Sequence, residues 1–402
     1  MDVIVGGGIV GLSIAWRLAR RGREVVVVDP SPATGASYAA AGMLAPISEV
    51  TYTEEPLLRL GAASLRRWPA FAAALAADAG LTPSAPATVP RADERAGAAF
   101  AGLEGSGEAA QWLAAARAGL DLRDDGTLDV AFGPDDLAML DEQARFMEKL
   151  GLPVERLTGR ECRRLEPMLA PSVRGGLLAR TDAWVDPRRV TAALLAALDR
   201  LGVPVVRARV TELARDGDRV VGVRLAPPAA GSGTLAAERV VVAAGAWSGE
   251  LAEVPVRPVK GQILRLRSPR PLLGRCVRGS VHGNPVYLVP RGDGELVVGA
   301  TQEELGFDTR VTAGGVYELL RDARELVPGV TELEVADVVA GLRPGTPDNL
   351  PVIGPGGTPG LVLATGHHRG GVLLAPLTTA ILEGEETGLA TLCSPARFRD
   401  VS

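Results

Sequence analysis

Three glycines at GxGxxG spacing, Gly6, Gly8 and Gly11, stand between the strand-like "DVIV" and the helix-like "IVGLSIAWRLARR". Glycine here permits a tight turn, close approach of backbone to a pyrophosphate, and close packing of helix on strand, with the helix N-terminus facing the negative charge. An acidic residue, Asp29, closes the next apolar run about twenty residues on, where its carboxylate can accept hydrogen bonds from both ribose hydroxyls of an adenosine half. That charge would repel a 2′-phosphate, which favours FAD or NAD over NADP. The small-residue stretch "TGASYAAAGMLAP", Thr34 to Pro46, follows where an NAD domain would continue into further βα units. Small residues let backbone amides approach a flavin and its phosphates, so FAD is the expected cofactor.

A second run with chemical content is "ATGHHRGGVLLAP", Ala364 to Pro376, which holds two of the three histidines and Arg369 at a strand-to-helix turn. From these residues alone a solvated loop and a binding turn are both open. A metal site is not expected, because it needs about three or four convergent ligands and adjacent residues on an extended segment point apart. Cys162, Cys276 and Cys393 are odd in number, far apart and without CxxC spacing, so neither a disulfide framework nor a zinc site is favoured and a reducing, cytoplasmic setting fits.

The elements that must position these residues follow from periodicity. "DVIVGGGIVGLSIAWRLARRGREVVVVD" reads as a βαβ unit. "DPRRVTAALLAALDRLGVPVV" reads as a helix opened by Asp186 with Pro187 at its first position, then a strand. "RDGDRVVGVRL" is hairpin-like, and "ERVVVAAGAW" reads as a buried strand. "VRPVKGQILRLR" and "PVYLVPRGDGELVVGAT" alternate like long antiparallel strands, the second with a DG-containing turn. The stretch from Gly80 to Ala118 lacks strong periodicity, and we expect irregular helices and loops outside the nucleotide-binding core.

The expected fold is therefore α/β: a Rossmann-like FAD-binding domain with a second, mostly antiparallel-sheet substrate domain inserted discontinuously. The boundaries expected are 1–88, 146–254 and 332–402 for the first, and 89–145 and 255–331 for the second. At 402 residues and 47% apolar composition the chain can bury a sizeable core. Its net charge of -5 is dispersed and its arginine runs lie on a helical face, so nucleic acid is not an expected partner. The N-terminal run resembles a signal peptide in apolarity but lacks a basic n-region, and no apolar run of about 18 residues suggests a membrane span.

In this order behind the glycine motif, "GASYAAAGMLAP", "KGQILRL", "YLVPRGDGELVVGAT", "AGLRPGTPDNLPVIG" and "ATGHHRGGVLLAPLT" resemble the glycine oxidases of the thiamine pathway, within the D-amino-acid oxidase group of flavoproteins. The resemblance spans Met1 to about Glu383 and is weakest between Gly80 and Asp125. It implies FAD with its pyrophosphate at Gly6 to Gly11, Ile9 and Val10 included, its ribose on Asp29, and further contacts from Ser37, Tyr38, Gly42, Met43 and Leu44. It implies a backbone group at Val210 against the adenine, and His367, His368, Arg369, Gly370, Gly371, Val372 and Leu373 wrapped around the isoalloxazine and pyrophosphate. Arg343 maps onto the family's carboxylate clamp, Arg369 onto its second substrate arginine, and Tyr287 onto a tyrosine that helps hold the same carboxylate. An arginine fork suits that task because it pairs bidentately with a carboxylate.

His368 and Gly370 stand where this family usually has an aromatic residue and an asparagine, which leaves the pocket lining open. An imidazole there would titrate near an unperturbed value of about 6.5 and would place a charge beside the substrate amine on the acid side. No cysteine lies in this segment, so non-covalent FAD is expected. The activity implied is oxidation of glycine to an imine or glyoxylate, with ammonia and hydrogen peroxide, by hydride transfer that requires orientation and no catalytic acid or base. Oxygen and the thiazole-forming enzyme are the implied partners; association into an oligomer is left open. Sarcosine or a small D-amino acid as substrate, a dehydrogenase passing electrons to a quinone or carrier, and a non-catalytic flavin-binding protein are the alternatives.

Overall fold

The computed structural model describes residues 1–82, 108–226, 233–281 and 283–398. Two sheets dominate it. The first has six strands in the spatial order Val352–Pro355, Leu361–Thr365, Arg239–Val242, Asp2–Val5, Val25–Val28 and Val205–Val206. All neighbours run parallel except Val352–Pro355, which is antiparallel to Leu361–Thr365. The central strands are continuous valine and isoleucine because helices or a smaller sheet cover both faces. One face packs on the helices Ile9–Arg20, Glu55–Leu65, Trp68–Ala79, Pro187–Arg200 and Ala375–Leu382. A three-stranded antiparallel sheet, Val210–Asp216, Arg219–Leu225 and Thr234–Ala236, covers the other.

The second sheet has eight strands in the order Glu334–Gly345, Arg257–Arg267, Glu295–Gly299, Asn284–Pro290, Cys276–Val281, Thr127–Ala131, Gly175–Ala179 and Glu155–Thr158. Only Cys276–Val281 and Thr127–Ala131 run parallel. Its strands alternate. Leu128, Leu264, Val277, Leu288 and Val298 pack under the helix Ala313–Leu326, and the residues between them face the first layer. This is the α/β architecture expected, down to the cap of the helix Pro187–Arg200, where the Asp186 side chain accepts from the amide of Arg188 at 2.9 Å.

Most of the stretch expected to be irregular lies outside the described residues. Its described end, Glu108–Gly119, is instead a regular helix, and Leu113, Ala115 and Ala116 are buried in the same core as the helix Ile9–Arg20. Alanine explains the difference: "EAAQWLAAARAG" has high helix propensity but little contrast between faces, so it folds as a helix without an amphipathic signature. Several elements cross the boundaries drawn from sequence. This helix, from 89–145, packs with the first layer, while Glu155–Thr158 and Gly175–Ala179, from 146–254, and Glu334–Gly345, from 332–402, lie in the second sheet. Among the described residues no helix is long and apolar enough to cross a membrane.

Candidate functional site

A cavity of about 470 Å³ opens between the carboxyl ends of the central parallel strands and the near face of the eight-stranded sheet. Its floor is the glycine turn. Gly6 has φ +112°, and a Cβ there would meet the carbonyl oxygen of Ala243 at 2.3 Å, so the turn is pressed onto the neighbouring strand end. A Cβ on Gly11 would meet the carbonyl oxygen of Gly6 at 2.0 Å, which places its role in helix packing rather than in the cavity lining. Gly8 differs, because its Cβ would meet only Ser37 Oγ, at 3.4 Å. The space beside it is kept by the protein without being filled by the protein, as a phosphate-bearing group would need.

Asp29 fixes this turn. Its carboxylate accepts from the amides of Gly7 and Ser31, both at 2.7 Å, and retains acceptor capacity for a ribose. Ser37 Oγ accepts from the amide of Ile9 at 3.0 Å. Gly6, Gly8, Ile9, Val10, Asp29 and Ser37 all line the cavity, as do Gly42 and Met43. Leu44 and Val210 do not; both are buried, in the cores on either side of the first sheet. Tyr38 lies outside, with the Arg188 guanidinium 3.5 Å from its ring centroid.

On the second run, His367, His368, Arg369, Gly371 and Val372 line the cavity, while Gly370 and Leu373 do not. The carbonyl of Leu373 anchors the turn by accepting from Ser64 Oγ at 2.6 Å and Trp68 Nε1 at 3.0 Å. His367 is buried, shares a 2.9 Å hydrogen bond between Nε2 and Thr378 Oγ1, and is pushed down to about 4 by burial. His368 has φ +46°, and its buried Nδ1 has no partner within the protein. Burial, together with the positive charges of Arg369 and Arg343, pushes its imidazole down to about 4. This corrects the expectation of an unperturbed histidine: the ring is neutral well below pH 6.

The substrate end rests on glycines within strands. Arg343 is paired in register with Val259, and its guanidinium lies over Gly261, where a Cβ would come within 2.4 Å of Nη2. Tyr287 lies over its register partner Gly299 in the same way, with a Cβ–ring approach of 2.4 Å. Arg343 Nη1 donates to the carbonyl of Thr301 at 3.3 Å and more weakly to that of Lys260, and no carboxylate pairs with it among the described residues. Burial pushes the Tyr287 hydroxyl up, against the opposing pull of Arg343 beside it. The segment holding Arg343 is locked by Glu303, which accepts from Thr301 Oγ1 at 2.6 Å and Gln262 Nε2 at 2.8 Å and pairs with the fully buried Lys260 ammonium at 3.2 Å.

Arg369 is in a different state. It is ion-paired with Glu54, which also accepts from Asn349 Nδ2 at 2.7 Å. Burial opposes ionisation of Glu54, but Arg369 and Asn349 outweigh it and hold the carboxyl below its usual range. Glu49, Arg278, Gln302 and Trp247 also line the cavity and were not anticipated from sequence. Only the strand glycines, Gly261 within Arg257–Arg267 and Gly299 at the end of Glu295–Gly299, offered a signal, since glycine in a strand marks close approach of another group. The open space at Gly8, the pinned Asp29 and the unpartnered Nδ1 of His368 together fit a bound FAD.

The family model described as FAD dependent oxidoreductase (DAO) matches residues 3–118 and 91–382. A glycine oxidase from Geobacillus kaustophilus is 32% identical over 93% of this chain and 89% of its own. The crystal structure of glycine oxidase from that organism covers 98% of both chains with a TM-score of 0.82. The bifunctional protein ThiO/ThiG of a Nostoc species is 33% identical over 94% of this chain but 51% of its own length, so the chain spans about half of that relative. The hydrogen cyanide synthase subunit HcnC of Pseudomonas aeruginosa is 32% identical over 95% of this chain and 91% of its own.

Proposed function

Because the chain belongs to the DAO family of FAD-dependent oxidoreductases and is similar to glycine oxidases, we propose that it oxidises glycine, with FAD bound non-covalently and oxygen as electron acceptor. The observation that carries this reading is Arg343, a guanidinium in the cavity wall with no carboxylate partner among the described residues and with Tyr287 beside it. A small α-amino acid supplies the missing carboxylate. Arg343 binds it bidentately and the Tyr287 hydroxyl donates to it. Arg369, already neutralised by Glu54, shapes the wall rather than competing for the anion.

When bound, FAD supplies the hydride acceptor and the route of electrons to oxygen, giving hydrogen peroxide and an imine that hydrolyses to glyoxylate and ammonia. The chain's part is to hold one carbon at a fixed bearing and to exclude water. The neutral His368 ring adds no charge beside the amine. The glycine turn, Asp29 and the turn from His367 to Val372 are assigned to FAD, with the substrate on the eight-stranded sheet. We assign the FAD-binding domain to 1–88, 146–254 and 332–402 and the substrate domain to 89–145 and 255–331, the former contributing three strands to the latter's sheet. Supply of the imine to a thiazole-forming enzyme is the physiological role that fits the resemblance.

The experiment is direct. The purified protein is scanned for flavin absorbance, acid-precipitated, and assayed for peroxide with glycine, sarcosine and D-alanine. Free FAD in the supernatant and the highest kcat/KM for glycine are expected; a preference for sarcosine or D-alanine would reassign the substrate, and colour retained in the precipitate would overturn non-covalent binding.

A further inference from the structure

Glu49, like Arg343, is a charged side chain of the cavity wall without a countercharge bonded to it among the described residues. It follows the strand Met43–Leu44 and is half-buried, and its carboxylate makes no hydrogen bond or ion pair among the described residues. Its place is nonetheless fixed. The Asp182 carboxylate accepts from the amides of Ile47 and Ser48 at 3.2 and 3.0 Å and from Ser48 Oγ at 2.6 Å. The Glu49 amide donates to the carbonyl of Ala45 at 3.1 Å, and its own carbonyl accepts from Arg369 Nη2 at 3.3 Å. A residue whose backbone is held this firmly on a cavity wall while its carboxylate stays unbonded is positioned for something other than solvent.

An ion pair and a hydroxyl belong to its surroundings. Arg278 lines the same cavity and is paired in register with both Tyr287 and Asp129, with its guanidinium 3.5 Å from the Asp129 carboxylate. The Tyr287 hydroxyl feels both Arg343 and Glu49, with opposite sign. The wall thus offers one guanidinium without a carboxylate, one carboxylate without a bonded cation, and Tyr287 within range of both charges. That is the charge complement of a zwitterion. A simple carboxylate such as acetate would satisfy Arg343 but leave Glu49 facing an anion.

We propose that Glu49 selects the amino-acid zwitterion by receiving the substrate's ammonium group while Arg343 holds its carboxylate, so that carboxylates without an amine are rejected. This rests on the reading of Arg343 as the carboxylate clamp. Removal of Glu49's charge therefore acts oppositely on two ligands that share the clamp, whereas a structural role acts on both alike.

The test uses the FAD-loaded protein and compares the KM for glycine with the Kd for acetate, the latter read from the perturbation of flavin absorbance. Glu49→Gln is expected to raise the ratio of glycine KM to acetate Kd by at least about tenfold, the factor appropriate to loss of one charged hydrogen bond, with acetate binding unchanged or tighter. Glu49→Asp keeps the charge and holds the ratio closer to the wild type. Glu49→Ala is measured in parallel, so that misfolding of one variant does not decide the outcome. Glycine and acetate shifting by the same factor would overturn the proposal, as would equal ratios in the Asp and Gln variants; tightening of both would assign Glu49 to neutralising Arg278 instead. Failure of the clamp itself reads differently, because Arg343→Ala would then leave glycine and acetate both unaffected.

Discussion

Arg343 reaches the cavity across the bare backbone of Gly261: Nη2, Nη1 and Cζ of its guanidinium lie 2.4 to 2.6 Å from where a Cβ on that glycine would stand. The two residues are on adjacent antiparallel strands, with Arg343 in register with Val259 and Gly261 with Gly341. The diagonal offset lets the long side chain lie along the sheet instead of rising from it. A clamp built this way loses entropy in advance, because the side chain is already laid in its groove.

Gly261→Ala should therefore displace the guanidinium and spare the fold. The clashing atoms are the far end of a flexible side chain, and alanine is at least as favourable as glycine within a strand. The KM for glycine is expected to rise roughly tenfold or more, the order of one displaced charged hydrogen bond, with little change in melting temperature. An unchanged KM would show that the groove does not set the position of Arg343.

Truncating the clamp itself goes further. Arg343→Ala should weaken glycine binding by about 2–5 kcal/mol, since the substrate carboxylate loses its countercharge in a partly desolvated site. FAD absorbance should persist. Arg343→Lys is expected to recover only part of the loss, because a point charge cannot reproduce the fork.

Glu303 supports the clamp from behind. Glu303→Gln leaves the Lys260 ammonium, fully buried, without its countercharge, at a cost of about 3–5 kcal/mol in stability near neutral pH. Burial raises the Glu303 carboxyl, but hydrogen bonds from Thr301, Gln262 and Lys260 outweigh it and hold it below its usual value of 4.5. For an acid depressed in the fold, the stabilisation is present above the unfolded value and is lost as pH falls through the folded one. Melting temperatures of wild type and variant should thus differ at pH 7 and converge in acid; a constant gap would show that the charge of Glu303 is not responsible.

His367 carries the opposite chemistry with the same direction. Its imidazole is buried and held at about 4, so the unfolded chain binds a proton between the usual 6.5 and that value while the folded protein does not. Stability is fully present above the unfolded value and falls by up to about 3 kcal/mol as pH drops toward 4. His367→Gln, which can keep a hydrogen bond to Thr378, should flatten the melting curve over that window. Parallel curves for the two proteins would place the acid sensitivity elsewhere.

The parts legible in the sequence are those where one local pattern carries one physical demand. The valine runs, the Gly6–Gly11 turn and the Asp186–Pro187 helix start each determine their own geometry. The second sheet was readable as alternation, but the crossings between layers were not: Glu155–Thr158 and Gly175–Ala179 join it through long-range pairing that short segments do not encode. The helix Glu108–Gly119 was hidden by alanine. At the site, the pairing of Arg369 with Glu54 joins residues 315 apart in sequence, and the depressed histidines depend on burial. Neither has a signature in residue type or spacing.

His368 decides how far the departure from the family pattern reaches into function. Were its imidazole at the usual 6.5, protonation would place a cation beside the substrate amine, and His368→Phe would remove an acid limb from the rate profile. Burial and the neighbouring charges of Arg369 and Arg343 hold the ring at about 4 instead, so wild type and His368→Phe carry the same charge across the working range. Their kcat/KM profiles for glycine should overlay in shape from about pH 5.5 to 8, whatever the change in absolute rate from swapping an imidazole for a phenyl ring. Because His368→Phe removes the Nδ1 that has no partner within the protein, both profiles are measured at saturating FAD. A limb near pH 6.5 present in the wild type and absent from His368→Phe would restore the titrating histidine and overturn the neutral one.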